Sequence, residues 1–335
     1  MKASVYWASL AAAAMVAPAA ADEKHCQLQA LGEMPVTIEG GVVSTTGEVD
    51  GKPVRLIVDT GSFGTILFEA EAQKLGLFLR RTGGKAYGVG GASDVYTARV
   101  KSFRLGDLSE RDADLVVTGR GLGGAQGLVG GKFLLQADVE FDLPHGKIRF
   151  FRPKDCEGDQ VVYWGEAYAV APMLPTTADE ILTEVKVNDI RLVAKMDTGA
   201  GVSVMTPQAA TVAGVALKSA SLTNEGETQG LGPKAEAQYA DVFPTFSFGE
   251  ETIHNATLRV VDLFGRDKET QLNDLIPTPV TDQPQMLLGA DFFRAHRVFV
   301  AREQHKIYVS YQGGPVFQPP TAPPPRVQAQ GDHER

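Results

Sequence analysis

The chain has 335 residues, 43% of them hydrophobic, and a formal net charge of −9. That length and apolar content suit two lobes, each burying its own core, and exclude a disordered or membrane-embedded chain. Acidic residues are spread throughout, so there is no basic face for nucleic acid or anionic lipid, and neither partner is expected.

Met1-Lys2, an apolar run over 8–17 and then Ala19-Ala20-Ala21 have the charge, apolar centre and small-residue cleavage site of a secretory signal peptide. Residues 1–21 are assigned to it, with cleavage after Ala21 and a secreted or periplasmic mature protein. An uncleaved anchor is the alternative, but the apolar run is shorter than the roughly 20 residues a spanning helix needs. No later segment could span a bilayer. Cys26 and Cys156 are the only cysteines. In an exported protein a disulfide between them is favoured over two buried free thiols. Neither they nor the six scattered histidines have metal-ligand spacing, so no metal and no cofactor are expected.

Past an N-terminal segment, 22–34, the sequence repeats itself. At an offset of 138 residues, Glu48-Val49-Asp50-Gly51 falls on Lys186-Val187-Asn188-Asp189, and both predict two-residue hairpin turns between strands. After each turn an apolar strand, 54–58 or 192–196, ends in Asp-Thr-Gly, at Asp59 and at Asp197. Thr65-Ile66-Leu67 then matches Ser203-Val204-Met205, and Leu75-Gly76-Leu77 matches Ala213-Gly214-Val215. Near the end of each half the offset is 159: Leu128-Val129-Gly130 with Phe133-Leu134 matches Leu287-Leu288-Gly289 with Phe292-Phe293. The 21 extra residues place an insertion in the polar, proline-containing stretch 263–284. Short strands and frequent glycine turns predict an all-β fold. The boundaries predicted are a first lobe over 35–155, a linker over 156–166, a second lobe over 167–312 and a proline-rich, disordered tail over 313–335.

A carboxylate at the tip of a buried strand, followed by Thr and Gly, suits acid-base chemistry on water. Gly61 and Gly199 let each loop turn tightly and approach a neighbour. Thr60 and Thr198 can hydrogen-bond across to the other loop. If the halves pack about a pseudo-twofold axis, Asp59 and Asp197 meet there and share one proton, since two close carboxylates do not both ionise. One then takes a proton from water while the other polarises a peptide carbonyl, with no covalent intermediate.

With two such loops in matched surroundings, the sequence resembles the pepsin and retropepsin superfamily of aspartic proteases, as one chain with two retropepsin-like repeats. The resemblance covers nearly all of the mature chain. It implies two pseudo-twofold-related, closed β-barrel-like lobes with a cleft between them, and an aspartic endopeptidase whose catalytic pair is Asp59 and Asp197. Thr60, Gly61, Ser62, Thr198, Gly199 and Ala200 would be the loop-supporting residues, backed by Leu128-Val129-Gly130 and Leu287-Leu288-Gly289. The family also has a hairpin flap that closes over the substrate. Tyr87-Gly88-Val89-Gly90 resembles its Tyr-Gly-x-Gly tip, 28 residues after Asp59. Gly230, Leu231 and Gly232, 33 residues after Asp197, could form a second, with Gln229 where the first has Tyr87. The partner implied is a peptide or protein substrate lying as an added strand between the lobes. A monomer suffices, because one chain supplies both aspartates.

Two departures bear on mechanism. No basic propeptide of pepsin type separates Ala21 from the first lobe. Ser62 follows the first loop's glycine where Ala200 follows the second's; a serine donating to its carboxylate would make Asp59 the more readily ionised partner. Gly119-Arg120-Gly121-Leu122-Gly123-Gly124 fits a dinucleotide pattern, but no helix pattern follows it. The rival reading is a non-catalytic peptide- or protein-binding or inhibitory protein on the same bilobal fold. Retention of all six loop residues favours the enzyme.

Overall fold

The computed structural model describes residues 26–88, 91–119, 121, 124–215, 221–229, 235–263 and 283–318. The signal-peptide assignment, the flap-tip residues Val89, Gly90, Gly230, Leu231 and Gly232, residues 264–282 of the insertion and the tail beyond Gln318 lie outside them.

The first-lobe sheet runs in the order Thr37–Glu39, Val42–Val49, Lys52–Val58, Gly127–Val129, Ile66–Leu67, Leu108–Thr118, Gly91–Leu105, Leu79–Gly88. The second repeats it without the first edge strand: Leu182–Val187, Ile190–Met196, Met286–Leu288, Val204–Met205, Glu251–Val260, Ala235–Phe248, Thr223–Gln229. In each, the hairpin strand folds back on a later one, Gly47 opposite Leu105 and Val187 opposite Phe246, so each sheet closes on itself around apolar side chains. The expected all-β, two-lobed fold is therefore observed. The turns that start each repeat have the positive φ angles of a type I′ hairpin, Asp50 and Gly51 in one and Asn188 and Asp189 in the other.

A third sheet joins the lobes. Its order is Gln27–Pro35, Lys147–Lys154, Asp138–Asp142, His296–Ala301, Lys306–Tyr311, Ala169–Pro172, three strands from each half. At its centre Glu140 lies opposite Phe299 in an antiparallel pair, which sets the pseudo-twofold relation between the halves. Asp138–Asp142 of the first half thus pairs directly with His296–Ala301 of the second.

The segment between the lobes is packed. Val161, Val162 and Trp164 are buried with Phe151, Phe299 and Tyr308 against this sheet. Glu140, fully buried, accepts hydrogen bonds from Arg149 of its own half, Arg297 of the other and the Tyr163 hydroxyl, while the Arg297 guanidinium stacks 4.4 Å from the Trp164 ring. A buried carboxylate needs such complete pairing. Cys26 and Cys156 form a disulfide across 130 residues. It ties the edge strand Gln27–Pro35 to this packed segment, and a loop of that length contributes up to about 5 kcal/mol on the chain-entropy account.

The chain does not leave the fold at Gly313, as its composition suggests. Phe317 is fully buried, its ring centroid 4.7 Å from that of Phe246 and 6.2 Å from that of Phe292. The physical reason is that one aromatic side chain fills a slot in the second lobe's core, which a composition average over glycines and prolines hides.

Candidate active site

Each Asp-Thr-Gly loop begins where a central strand runs out. The amide of Asp59 donates to the Val129 carbonyl at 2.9 Å, and that of Asp197 to the Leu288 carbonyl at 2.9 Å. The two motif-bearing strands thus rest directly on the Leu-Val-Gly and Leu-Leu-Gly strands beside them. One turn later Gly131 donates to the Ser62 carbonyl and Ala290 to the Ala200 carbonyl, each at 2.7 Å. The two loops are held from behind by the same pair of bonds.

The threonines hold them to each other. The Thr60 amide donates to Thr198 Oγ1 at 3.1 Å and the Thr198 amide to Thr60 Oγ1 at 3.0 Å. Each hydroxyl spends its own proton on the carbonyl preceding the other loop, Thr60 on Met196 at 2.8 Å and Thr198 on Val58 at 2.7 Å. Both side chains are buried, so this four-bond lattice leaves no donor or acceptor unpaired.

The glycines admit the carboxylates. A Cβ on Gly61 would stand 2.4 Å from Asp197 Cγ, and one on Gly199 would stand 2.4 Å from Asp59 Cγ. Each carboxylate lies against the glycine of the opposite loop, close enough to its counterpart for the charge of Asp197 to act on Asp59. Each also accepts two amides on Oδ1: Gly61 at 2.9 Å and Ser62 at 3.0 Å for Asp59, Gly199 at 2.9 Å and Ala200 at 3.2 Å for Asp197.

Burial, then the charge and hydrogen bond of Asp197, hold the Asp59 carboxyl well above the usual carboxylate range, against the pull of the Ser62 and Gly61 amides. The idea that Ser62 makes Asp59 the readier to ionise is corrected. The Ser62 hydroxyl donates to the Gly64 carbonyl at 3.3 Å, and only its amide reaches Asp59, as the Ala200 amide reaches Asp197. The two carboxyls hold one proton between them and titrate as a pair.

Two hairpins stand at the positions expected of flaps. Leu79–Gly88 pairs with Gly91–Leu105, Tyr87 opposite Ala92 and Gly88 opposite Gly91. Thr223–Gln229 pairs with Ala235–Phe248, with a bulge between Asn224 and Gly226. A brace behind the second loop escaped the motif reading. Buried Asp291 accepts the Ser203 amide at 2.9 Å and hydroxyl at 2.6 Å, and Ser203 Oγ in turn accepts the Gly289 amide at 2.9 Å. The repeat alignment carried the signal, since Lys132 stands at the equivalent place in the first half. Among the described residues no cluster of His, Cys, Asp and Glu could hold a metal ion.

A protein-family model described as aspartyl protease matches residues 45–133 and 183–292, one stretch for each repeat. No curated protein matches the chain.

Proposed function

The chain belongs to the aspartyl protease family, and on that premise we propose that it is an endopeptidase in which Asp59 and Asp197 activate one water for direct attack on a peptide carbonyl. The observation that carries this reading is the reciprocal seating of each carboxylate against the glycine of the opposite loop. That seating brings two aspartates 138 residues apart within hydrogen-bonding reach of one another. In the working state one proton is shared. Asp59, whose carboxyl is held up by burial and its neighbour, donates to the scissile carbonyl oxygen, and the Asp197 carboxylate takes a proton from water as the water oxygen bonds to the carbonyl carbon. The tetrahedral species collapses when the nitrogen receives that proton from Asp197 and the C–N bond breaks; the gem-diol returns a proton to Asp59.

The substrate is an extended peptide between the lobes, covered by the hairpin of Leu79–Gly88 with Gly91–Leu105 on one side and that of Thr223–Gln229 with Ala235–Phe248 on the other. One chain supplies the whole site, so a monomer is the active unit. The protein is exported: the disulfide suits an oxidising compartment, and among the described residues no helix is long and apolar enough to cross a membrane. The test is cleavage of a diverse peptide mixture by the wild type beside Asp59→Asn. A peptide analogue carrying a hydroxyl-bearing tetrahedral carbon at the scissile position should block it.

A further inference from the structure

The two lobes repeat one another closely enough that a departure at an equivalent position is informative. In the first lobe Ile66 pairs in parallel with Val116; in the second, Val204 pairs in the same way with Arg259. A partly buried valine packed against one lobe's apolar cluster is thus replaced by an arginine in the other, and that arginine is only 1% exposed. A buried guanidinium persists only where it is paired and hydrogen-bonded.

Arg259 places four of its five N–H donors on three separate pieces of chain. Nε donates to Glu225 Oε2 at 3.0 Å and Nη2 to Oε1 at 3.5 Å. Nη1 donates to the Thr257 carbonyl of its own strand at 3.2 Å and to the Phe317 carbonyl at 2.5 Å. Glu225 is the bulged residue of the second hairpin's outer strand, where the register slips between Asn224 and Gly226. Its carboxylate reaches Arg259 across the intervening strand, Ala235–Phe248, and is steadied by Gln238 at 3.0 Å. Phe317 belongs to a hook, residues 315–318, that is fixed on both sides. The Tyr311 hydroxyl donates to the Gly314 carbonyl at 2.7 Å, and Arg294 donates to the Gln318 carbonyl at 2.9 Å. Arg259 also lies close enough to Asp291 for its charge to act on that carboxylate, which braces Ser203 behind the second catalytic loop.

We propose that Arg259 is a positioning residue through which the C-terminal hook holds the second hairpin, by way of Glu225, in the posture that covers the substrate. The inference rests on the reading of that hairpin as a lid. A planar fork with bonds at both ends couples its partners: removing the Phe317 carbonyl leaves a buried N–H unpaired, and the guanidinium can recover a partner only by turning away from Glu225. The first lid has no equivalent, because Val116 offers no donor. Among the described residues the lids therefore differ in kind, the second being fastened to residues 315–318 and the first not.

Three variants of the full chain test this: Glu225→Gln, which keeps size and removes the charge from a half-exposed position, a chain ending at Gly314, and a chain ending at Gln318. The readouts are amide hydrogen exchange in Thr223–Gln229 and in Leu79–Gly88, and KM and kcat on a peptide substrate. Glu225→Gln and the Gly314 chain are expected to exchange at least about tenfold faster in Thr223–Gln229 with Leu79–Gly88 unchanged, and to raise KM several-fold with kcat within about twofold. The Gln318 chain should match the wild type. If the Gly314 chain does not fold, Phe317→Ala in place of the truncation removes the ring that seats the hook. Wild-type exchange in Thr223–Gln229 in Glu225→Gln, or equal loosening of both hairpins, overturns the coupling. A loosened hairpin with unchanged KM overturns its bearing on substrate. Exchange needs no cleavage, so the coupling is measured even in a protein that cuts nothing, and failure of the protease reading is recognised separately.

Discussion

Gly61 and Asp197 are in contact across the pseudo-twofold axis so closely that a Cβ on the glycine would stand 2.4 Å from the carboxylate carbon. The same holds for Gly199 and Asp59. Gly61→Ala and Gly199→Ala therefore push the opposite aspartate out of place while leaving it chemically intact. Each is expected to lower kcat/KM at least about a hundredfold, because misplacing a reacting group by about 1 Å costs that much. Peptide cleavage, with circular dichroism to confirm folding, checks this.

Thr60 is expected to tolerate Ser and reject Val. Valine leaves the Thr198 amide and the Met196 carbonyl, both bonded to the Thr60 hydroxyl, buried and unpaired. The cost is about 2 to 6 kcal/mol, at about 1 to 3 kcal/mol for each of the two orphaned groups. Serine retains both bonds and should fall within about 1 kcal/mol of the wild type. Urea unfolding midpoints of the two variants provide the comparison.

Asp197→Asn separates stability from activity. The Asp59 carboxyl is raised from its ordinary value of 3.8 by burial first and by Asp197 second. A raised carboxyl contributes stability that is full below the unfolded value and lost as pH rises through the folded one. Removing the second charge lessens that loss. The variant should gain on the wild type in stability as pH rises from 4 to 8, while kcat falls at least about a thousandfold, the scale on which removal of a catalytic group acts. Thermal unfolding across that pH range, paired with cleavage assays, tests both halves.

Asp138, in the sheet that joins the lobes, gives a second pH dependence. It is 2% exposed, its Oδ1 accepts the Arg302 amide at 2.8 Å, and its Oδ2 has no partner. Burial pushes its carboxyl up to about 6, the nearby Glu303 charge adding to the rise and the Arg302 amide opposing it. The folded protein thus favours protonated Asp138, and that contribution fades as pH climbs from about 4 to about 6. Asp138→Asn keeps the acceptor for Arg302 and carries no charge. Relative to the wild type it should gain about 2 to 3 kcal/mol between pH 4 and pH 7, from a shift of about two pH units. Parallel stability curves would remove Asp138 from this role.

The parts of the site that could be read from sequence are those encoded locally and twice. Asp50-Gly51 fixes a turn by its own backbone preferences, and the constant spacing from that turn to Asp59, and from Asn188-Asp189 to Asp197, fixes the register of both loops. What escaped is set by side chains meeting across long separations. Gln27–Pro35 has only Met34 buried, so no alternation marks it as a strand, and its place is decided by its partner Lys147–Lys154. Trp164 and Phe317 lie in stretches whose composition reads as linker and tail, yet each fills a slot that exists only once the sheets are assembled. The Ser62 hydroxyl donates within its own turn, to the Gly64 carbonyl, and not to Asp59. Asp291 was visible only as a mismatch between the repeats, at Lys132, and Arg259 stands against Val116 only once the strands are paired; a mismatch carries no sign until its partners are known.

The central claim is that Asp59 and Asp197 work as one dyad on a peptide bond, and the direct measurement is cleavage of a diverse peptide library from pH 3 to 8. It is run with the wild type, Asp59→Asn and Asp197→Asn at equal folded concentration. The expected result is a bell-shaped pH dependence for the wild type, reporting loss of the shared proton on one side and full protonation on the other, with both variants at background. Absence of wild-type cleavage at every pH, or cleavage by either asparagine variant at the wild-type rate, contradicts the account.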